Sequence, residues 1–182
     1  MIPQTVTNDE TSPMNFLAKT AMSISLLYYV LVLGTLWIGQ MAGLHNDIWE
    51  LYDFPVQPAS PPFWALLIGL LVTAVALACL AMAYAAVWRI LSGGRGQDFR
   101  DLSRRLRTVG LGLIGFWLGY NILAGGVQHL IVIGTEVTDE FDFSWDPLDL
   151  DIVFFIIGIA MMAISQTLER AWLAEEENQH FL

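Results

Sequence analysis

Three histidines are the residues of this chain best suited to redox chemistry. His129 lies near the end of a long apolar stretch, where an imidazole could ligate a haem iron or contact a quinone. A bis-histidine haem needs a second imidazole at a facing depth. His45 is the one candidate on that side, since His180 lies in a polar tail. We therefore interpret His129 as a hydrogen-bonded or interfacial residue, with cofactor binding as the alternative.

The chain contains four long apolar stretches, and their sequences show no other arrangement of catalytic residues. None of these stretches holds a carboxylate or a base deep in its interior, and none pairs a nucleophile with a general base. The single cysteine, Cys79, has no partner for an intramolecular disulfide. The sequence therefore predicts a protein that is not an enzyme and that carries no cofactor.

Carboxylates are concentrated in two stretches, HNDIWELYDF (45–54) and DEFDFSWD (139–146). The second is superficially like a calcium loop, but it lacks the EF-hand spacing, the central glycine and the terminal glutamate, so we predict no metal site. A solvated rim is the simplest interpretation, and a docking face for a cationic partner is the functional alternative. The residues of that acidic face are Glu136, Asp139, Glu140, Asp142, Asp146, Asp149 and Asp151.

Basic residues gather in SGGRGQDFRDLSRRLRTVG (92–110), which holds five of the eight in the chain. The stretch has no Walker lysine and no preceding strand, which argues against a phosphate-binding loop. Acidic residues within the stretch reduce the positive charge that binding to nucleic acid would need. We interpret its arginines as anchors among lipid phosphates that also set the topology. They are Arg95, Arg100, Arg104, Arg105 and Arg107.

The anchoring stretch has the pattern of a short helix. Gly93 and Gly94 are expected to end the preceding helix, and Asp98 to cap the next one. Phe99 and Leu102 share an apolar face, and Asp101 is placed to pair with Arg104 or Arg105. The pattern predicts a short amphipathic helix on the inner membrane surface, between the second and third spans.

The composition of the chain predicts the helices on which these residues lie. Hydrophobic residues make up 55% of the chain and charged residues 14%, whereas a soluble domain carries roughly 25% charged residues. Four apolar stretches, approximately 20–44, 62–88, 108–134 and 152–172, have the length of a membrane-spanning helix, about 20 residues. The sequence predicts an all-α, polytopic four-helix bundle. It forms one membrane domain over 1–182, with polar tails at 1–18 and 174–182.

The distribution of bases predicts the orientation of this bundle. Lys19 precedes the first span, six arginines lie between the second and third, and Arg170 follows the fourth. The other two loops contain no lysine or arginine. By the positive-inside rule both termini lie in the cytoplasm of a bacterium, and the protein spans the inner membrane. The outer loops then carry the whole net charge of −10.

The third span has the pattern of a tightly packed helix. Its glycines follow spacings of three, four and seven, which would form a smooth groove, and Gly115 and Gly119 make a G-x-x-x-G pair. Asn121 and Gln128 share a face roughly opposite Gly119, where intramembrane amides need partners on other helices. The predicted packing residues are Gly112, Gly115, Gly119, Gly126, Asn121 and Gln128.

Two segments resemble a known bacterial family of four-span membrane proteins, domain of unknown function number 2975. GRGQDFRDLSRRLRTVG resembles its G-x-x-F and Leu-Arg-x-x-Gly signature through Gly96, Phe99, Leu106, Arg107 and Gly110. ISQTLERAWLAEEENQHFL is similar to the family's ending, whose acidic turn is here 175–178. The resemblance covers about 20–182. It implies the fold and the location but no reaction, and the QHFL ending and the very acidic third loop depart from the family pattern.

These observations lead to a functional expectation. We expect a non-catalytic accessory or partner-binding subunit of a membrane complex, in contact with the lipid bilayer and other membrane subunits and not with nucleic acid. One alternative is a membrane sensor or regulator that holds a soluble cytoplasmic partner. The other is an electron-transfer component with a haem or quinone near His129.

Overall fold

The computed structural model describes residues 13–44, 61–93, 98–135 and 152–179, and these residues form helices with short turns and caps at their ends. The first helices are α1 (Pro13–Met41), α2 (Phe63–Ser92) and α3 (Phe99–Asn121). A π-helical segment (Ile122–Val127) continues α3 into the short α4 (Gln128–Val132). The last helix is α5 (Ile152–Gln179).

Four of the helical runs are long and apolar enough to cross a membrane. They are α1, α2, the continuous run of α3, π segment and α4 (Phe99–Val132), and most of α5 (Ile152–Glu177). The prediction of an all-α protein with four long apolar helices is therefore confirmed. The helices extend beyond the predicted spans because polar residues that favour helix, such as those of LERAWLAEEENQ, prolong the hydrogen-bond ladder past the apolar stretch.

The predicted separate amphipathic helix between the second and third spans is wrong. Asp98 does cap a helix, since its side chain accepts a hydrogen bond from the Arg100 backbone N–H at 3.2 Å. That helix, however, is α3 itself, which runs without interruption from Phe99 to Asn121. No glycine or proline stands between Phe99 and Val109 to break the ladder, so the basic turns and the third span form one rigid element.

The four long helices form a row in the order α1, α2, α3, α5. α3 makes extensive contacts with α2 on one side and with α5 on the other, and α1 packs on α2. Among the described helices, α1 and α5 make no extensive contact with each other. The ring of Phe116 on α3 contacts aromatic rings of both outer helices, with its centroid 6.5 Å from that of Tyr29 on α1 and 5.2 Å from that of Phe154 on α5.

Glycines on opposite faces of α3 explain the row. A Cβ added to Gly112 would lie 2.6 Å from the Cys79 carbonyl oxygen of α2, and one added to Gly119 would lie 2.6 Å from the Ala76 Cβ. A Cβ added to Gly110 would lie 2.6 Å from the Gly158 carbonyl oxygen of α5. At about 100° per residue, Gly112 and Gly119 lie roughly opposite Gly110. α2 and α5 therefore approach α3 from opposite sides.

The third span is the most buried of the four. Within an apolar segment of 18 residues, 53% of the residues of the third span are buried, against 6% of those of α1. One core cluster joins α2 to the middle of α3 around Leu80, Leu113 and Phe116. A second joins Trp37 of α1 to Ala65 and Leu66 of α2 and to Leu123, Val127 and Ile131 beyond α3.

The close approach of α2 to α3 gives a test of this packing. Gly112→Ala should lower the free energy of unfolding by about 1–3 kcal/mol, because its Cβ would push against the α2 backbone. Gly126→Ala is the matched control, since a Cβ there meets nothing closer than Ile122 Cγ2 of its own helix at 4.0 Å. Thermal unfolding in mild detergent measures both. Equal stability of the two variants would contradict the close approach at Gly112.

Candidate functional site

Basic residues from different helices converge at one end of the structure. Lys19 of α1 donates a hydrogen bond from Nζ to the Ser92 hydroxyl of α2 at 2.7 Å, and Nζ lies 5.2 Å from the centroid of the Trp88 ring. On the other flank, the Arg100 guanidinium of α3 lies 4.9 Å from the centroid of the Trp172 ring of α5. Each cation therefore rests on an aromatic ring of a neighbouring helix, an arrangement that stabilises both contacts.

Two serines connect α3 to α5 by hydrogen bonds near these charged residues. The Ser103 hydroxyl donates to the Ser165 carbonyl at 3.0 Å, and the Ser165 hydroxyl donates to the Ser103 carbonyl at 2.8 Å. The two hydroxyl oxygens lie 3.1 Å apart, and both residues are buried. The small side chains let the helices approach closely, and the reciprocal bonds hold the basic turns of α3 in one position.

Arg105 connects the first turns of α3 to α2. Its Nη1 donates to the Arg89 carbonyl oxygen at 2.6 Å, and its Nη2 pairs with the Asp101 carboxylate at 2.5 Å. The predicted pairing of Asp101 with a neighbouring arginine is thus observed, and Arg105 is the partner. The carbonyl that Arg105 satisfies lies in the last turn of α2, where backbone acceptors lack partners within the helix.

A cavity of about 370 Å³ lies beside this contact, between the end of α2 and the first turns of α3. Arg89, Arg104 and Arg105 line it together with Asp101, so its side chains carry a formal charge of three minus one, or +2. The remaining lining residues include Met82 and Ala85 of α2. The cavity is therefore a concave surface with a net positive charge.

The predicted anchoring arginines have different positions in this arrangement. Arg104 and Arg105 line the cavity, and Arg100 stacks on Trp172. Arg107 is exposed on α3 and does not line the cavity, and Arg95 lies outside the described residues. Arg89, which the sequence analysis used only for topology, is a cavity residue; its signal was a lone arginine in the last turn of a long apolar helix.

The predicted packing residues separate into two groups. Gly112, Gly115 and Gly119 all face α2, with the Cys79 Sγ 2.8 Å from a Cβ added at Gly115. Gly126 is exposed and takes no part in that contact. It lies in the π segment, whose wider turns advance the chain less about the axis and so move later residues off the glycine face.

The two amides of the third span also differ in position. Asn121 is buried, and its Nδ2 donates to the Trp117 carbonyl of its own helix at 2.9 Å rather than to another helix. Its Oδ1 is buried without a hydrogen-bond partner among the described residues. Gln128, beyond the π segment, is half-buried. The π turns separate the faces that a regular helix would have aligned.

His129 is exposed on α4. His45 and His180 lie outside the described residues, as do all seven residues of the predicted acidic face. Within the ranges that the structure describes, no group of three histidine, cysteine or acidic side chains is placed to hold a metal ion.

Sequence analysis missed one further residue, Tyr28 of α1. Its side chain is 62% exposed, although Tyr28 lies in the middle of an apolar helix. Its hydroxyl makes no hydrogen bond to another described residue, and its ring contacts Tyr29 edge-on, with centroids 5.9 Å apart. A tyrosine far from both ends of a span is the sequence signal that could have identified it.

These features define a multi-pass membrane protein with four candidate spans and a basic cavity at one end. No family model, curated protein or solved structure matches the chain. The resemblance to domain of unknown function number 2975 stays a prediction that rests on the two motifs.

The serine pair can be tested by substitution. Ser103→Ala should lower the free energy of unfolding by about 1 kcal/mol, as is typical of hydrogen bonds between membrane helices. Ser23→Ala removes a hydroxyl that bonds its own helix at the Lys19 carbonyl, and we expect almost no change. Unfolding in mixed detergent micelles compares the two variants. A loss at Ser23 as large as that at Ser103 would contradict the interhelical role.

Proposed function

We propose that this protein is a non-catalytic subunit of the bacterial inner membrane that binds another membrane protein through α1. The supporting observation is the exposed hydroxyl of Tyr28, which bonds none of the residues that the structure describes. A hydroxyl that faces hydrocarbon without a hydrogen bond raises the free energy of the membrane-inserted state by several kcal/mol, at about 4–8 kcal/mol on the water-to-cyclohexane scale. An acceptor on a second protein would remove that cost.

The depth of Tyr28 makes lipid headgroups and water poor partners. Lys19, whose ammonium group marks the basic end of α1, lies nine residues before Tyr28, which is about 14 Å along a helix axis. The hydrocarbon core is about 30 Å thick, so the tyrosine lies close to its centre. Its side chain is too short to reach either interface from there. The acceptor must therefore come from a neighbouring span.

The face around Tyr28 has the spacing that an adjacent helix would need. Exposed residues follow one another at intervals of four and three, which is the 3.5-residue repeat of helices that cross at a shallow angle. They are Leu17, Ala21, Ile24, Tyr28, Leu31 and Thr35. The Thr35 hydroxyl is already bonded to the Leu31 carbonyl, so Tyr28 supplies the free donor on this face. We propose that a partner helix lies along it.

Removal of the hydroxyl tests this function. Tyr28→Phe should shift the protein from a large complex to a small species in native electrophoresis of mild-detergent extracts at endogenous expression. Its thermal stability should be unchanged, because the hydroxyl bonds no described residue of its own chain.

Tyr84→Phe is the matched control. The Tyr84 hydroxyl lies 3.4 Å from the Ser25 hydroxyl inside the α1–α2 contact, so its loss should affect stability and leave the complex intact. Migration of the wild-type protein as a lone small species, or loss of the complex in both variants alike, would count against the proposal.

We further propose that both termini lie in the cytoplasm, with the basic end of the helices at the cytoplasmic surface. The convergence of Lys19, Arg89 and Arg105 supports this orientation through the positive-inside rule. In a Cys79→Ala background, a membrane-impermeant maleimide should label Leu44→Cys in intact cells and Gly93→Cys only after lysis. Both positions are exposed, Leu44 just beyond the end of α1 and Gly93 just beyond the end of α2. Because α1 and α2 run antiparallel, the two positions lie at opposite ends of the helix pair. The reverse pattern would overturn the orientation.

A further inference from the structure

We propose that the basic cavity between α2 and α3 binds the headgroup of one anionic phospholipid, with the phosphate held between Arg89 and Arg104. This inference goes beyond the proposed subunit function, because the cavity is lined by α2 and α3 and does not include the Tyr28 face of α1. It also goes beyond a general attraction of arginines to the membrane surface, because it assigns one lipid to one site.

The two arginines are available for such a ligand. Arg105 is held by the Arg89 carbonyl and by Asp101, so it shapes the cavity wall and already has an anionic partner. The guanidinium groups of Arg89 and Arg104 are exposed and make no hydrogen bond or ion pair with another described residue. Their planar, multiple donors match a phosphodiester, which can accept from both at once.

Charge favours an anionic headgroup over a zwitterionic one. Because Asp101 neutralises one of the three arginines, the side chains of the cavity keep a formal charge of +2. A phosphatidylglycerol headgroup brings one negative charge into this field without a competing cation. A volume of about 370 Å³ lies within the range of small-ligand sites and accommodates one glycerophosphate group.

The apolar part of the cavity, toward the middle of α2, favours a lipid over a soluble phosphate. Met82 and Ala85 line it on the α2 side, and both are exposed on the apolar surface of that helix. Met82 lies seven residues before Arg89, or about 10 Å along the helix axis from the charged level. An acyl chain that leaves the headgroup level would cover these residues, whereas inorganic phosphate would not contact them. Basic pockets between membrane helices recognise anionic lipids in this way.

Native mass spectrometry tests the site. The purified full-length protein, in mild detergent, is mixed with equal amounts of phosphatidylglycerol, phosphatidylethanolamine and phosphatidylcholine that carry the same acyl chains. We expect one retained phosphatidylglycerol per protein. The double variant Arg89→Gln with Arg104→Gln should weaken this adduct by about tenfold or more.

Two further variants make the result specific. Arg107→Gln removes a charge from the same helix end outside the cavity and should leave the adduct within about twofold of the wild-type level. Ala85→Phe keeps all the arginines but fills the apolar part, and it should also weaken the adduct. This variant tests the site even if the double arginine variant does not fold.

Three outcomes would overturn the proposal. An equal loss in Arg107→Gln would show bulk attraction to a basic surface. Equal retention of the three lipids would show that the site does not select an anionic headgroup. Displacement of phosphatidylglycerol by millimolar inorganic phosphate, together with normal binding in Ala85→Phe, would show a site for soluble phosphate.

Discussion

The close approach of two helices to opposite sides of α3 is the constraint on which the rest of this structure depends. In a bilayer, lipid tails are as apolar as leucine, so helices associate through van der Waals contact and hydrogen bonds rather than through exclusion of water. Gly112 and Gly119 allow the α2 backbone close to α3, and Gly110 with Gly158 allows α5 close on the other side. The placement of α3 between α2 and α5 follows from these two opposite faces.

The basic end is a consequence of the same contacts. Because α2 and α5 are held tightly against α3, residues far apart in the sequence meet at the first turns of α3. Arg105 reaches the Arg89 carbonyl, and Ser103 meets Ser165, 62 residues further along the chain. The cavity therefore lies in the packed contact of α2 with α3, and that contact sets where the backbone of each arginine stands relative to the apolar part of α2.

The features that sequence could predict are those that depend on one helix at a time. Long apolar stretches predicted four spans, and the position of Asp98 predicted a helix cap, because both are local effects. The sequence predicted that Gly119 packs closely against another helix. It did not predict which helix, because any helix can approach a residue that has no side chain. The pairing of Ser103 with Ser165 depends on a tertiary contact, which the spacing of residues in one segment does not encode. The continuity of α3 is a local effect of a stretch without glycine or proline, and the prediction of a separate amphipathic helix overlooked it. The exposure of Tyr28 likewise depends on how few neighbours α1 has.

The π segment has an evolutionary consequence. A wide turn with i→i+5 bonds accommodates one more residue than an α-helical turn, as an insertion into an ancestral helix would. A deletion of one residue from ILAGGV would therefore restore the regular ladder and leave α4 in nearly the same orientation relative to α3, because the wide turn already absorbs the extra residue. His129 would stay exposed, and the glycine contacts of α3 would be untouched. The chain therefore tolerates the gain or loss of one codon at this point, whereas the same change in the regular part of α3 would turn every later residue by about 100° away from its contacts.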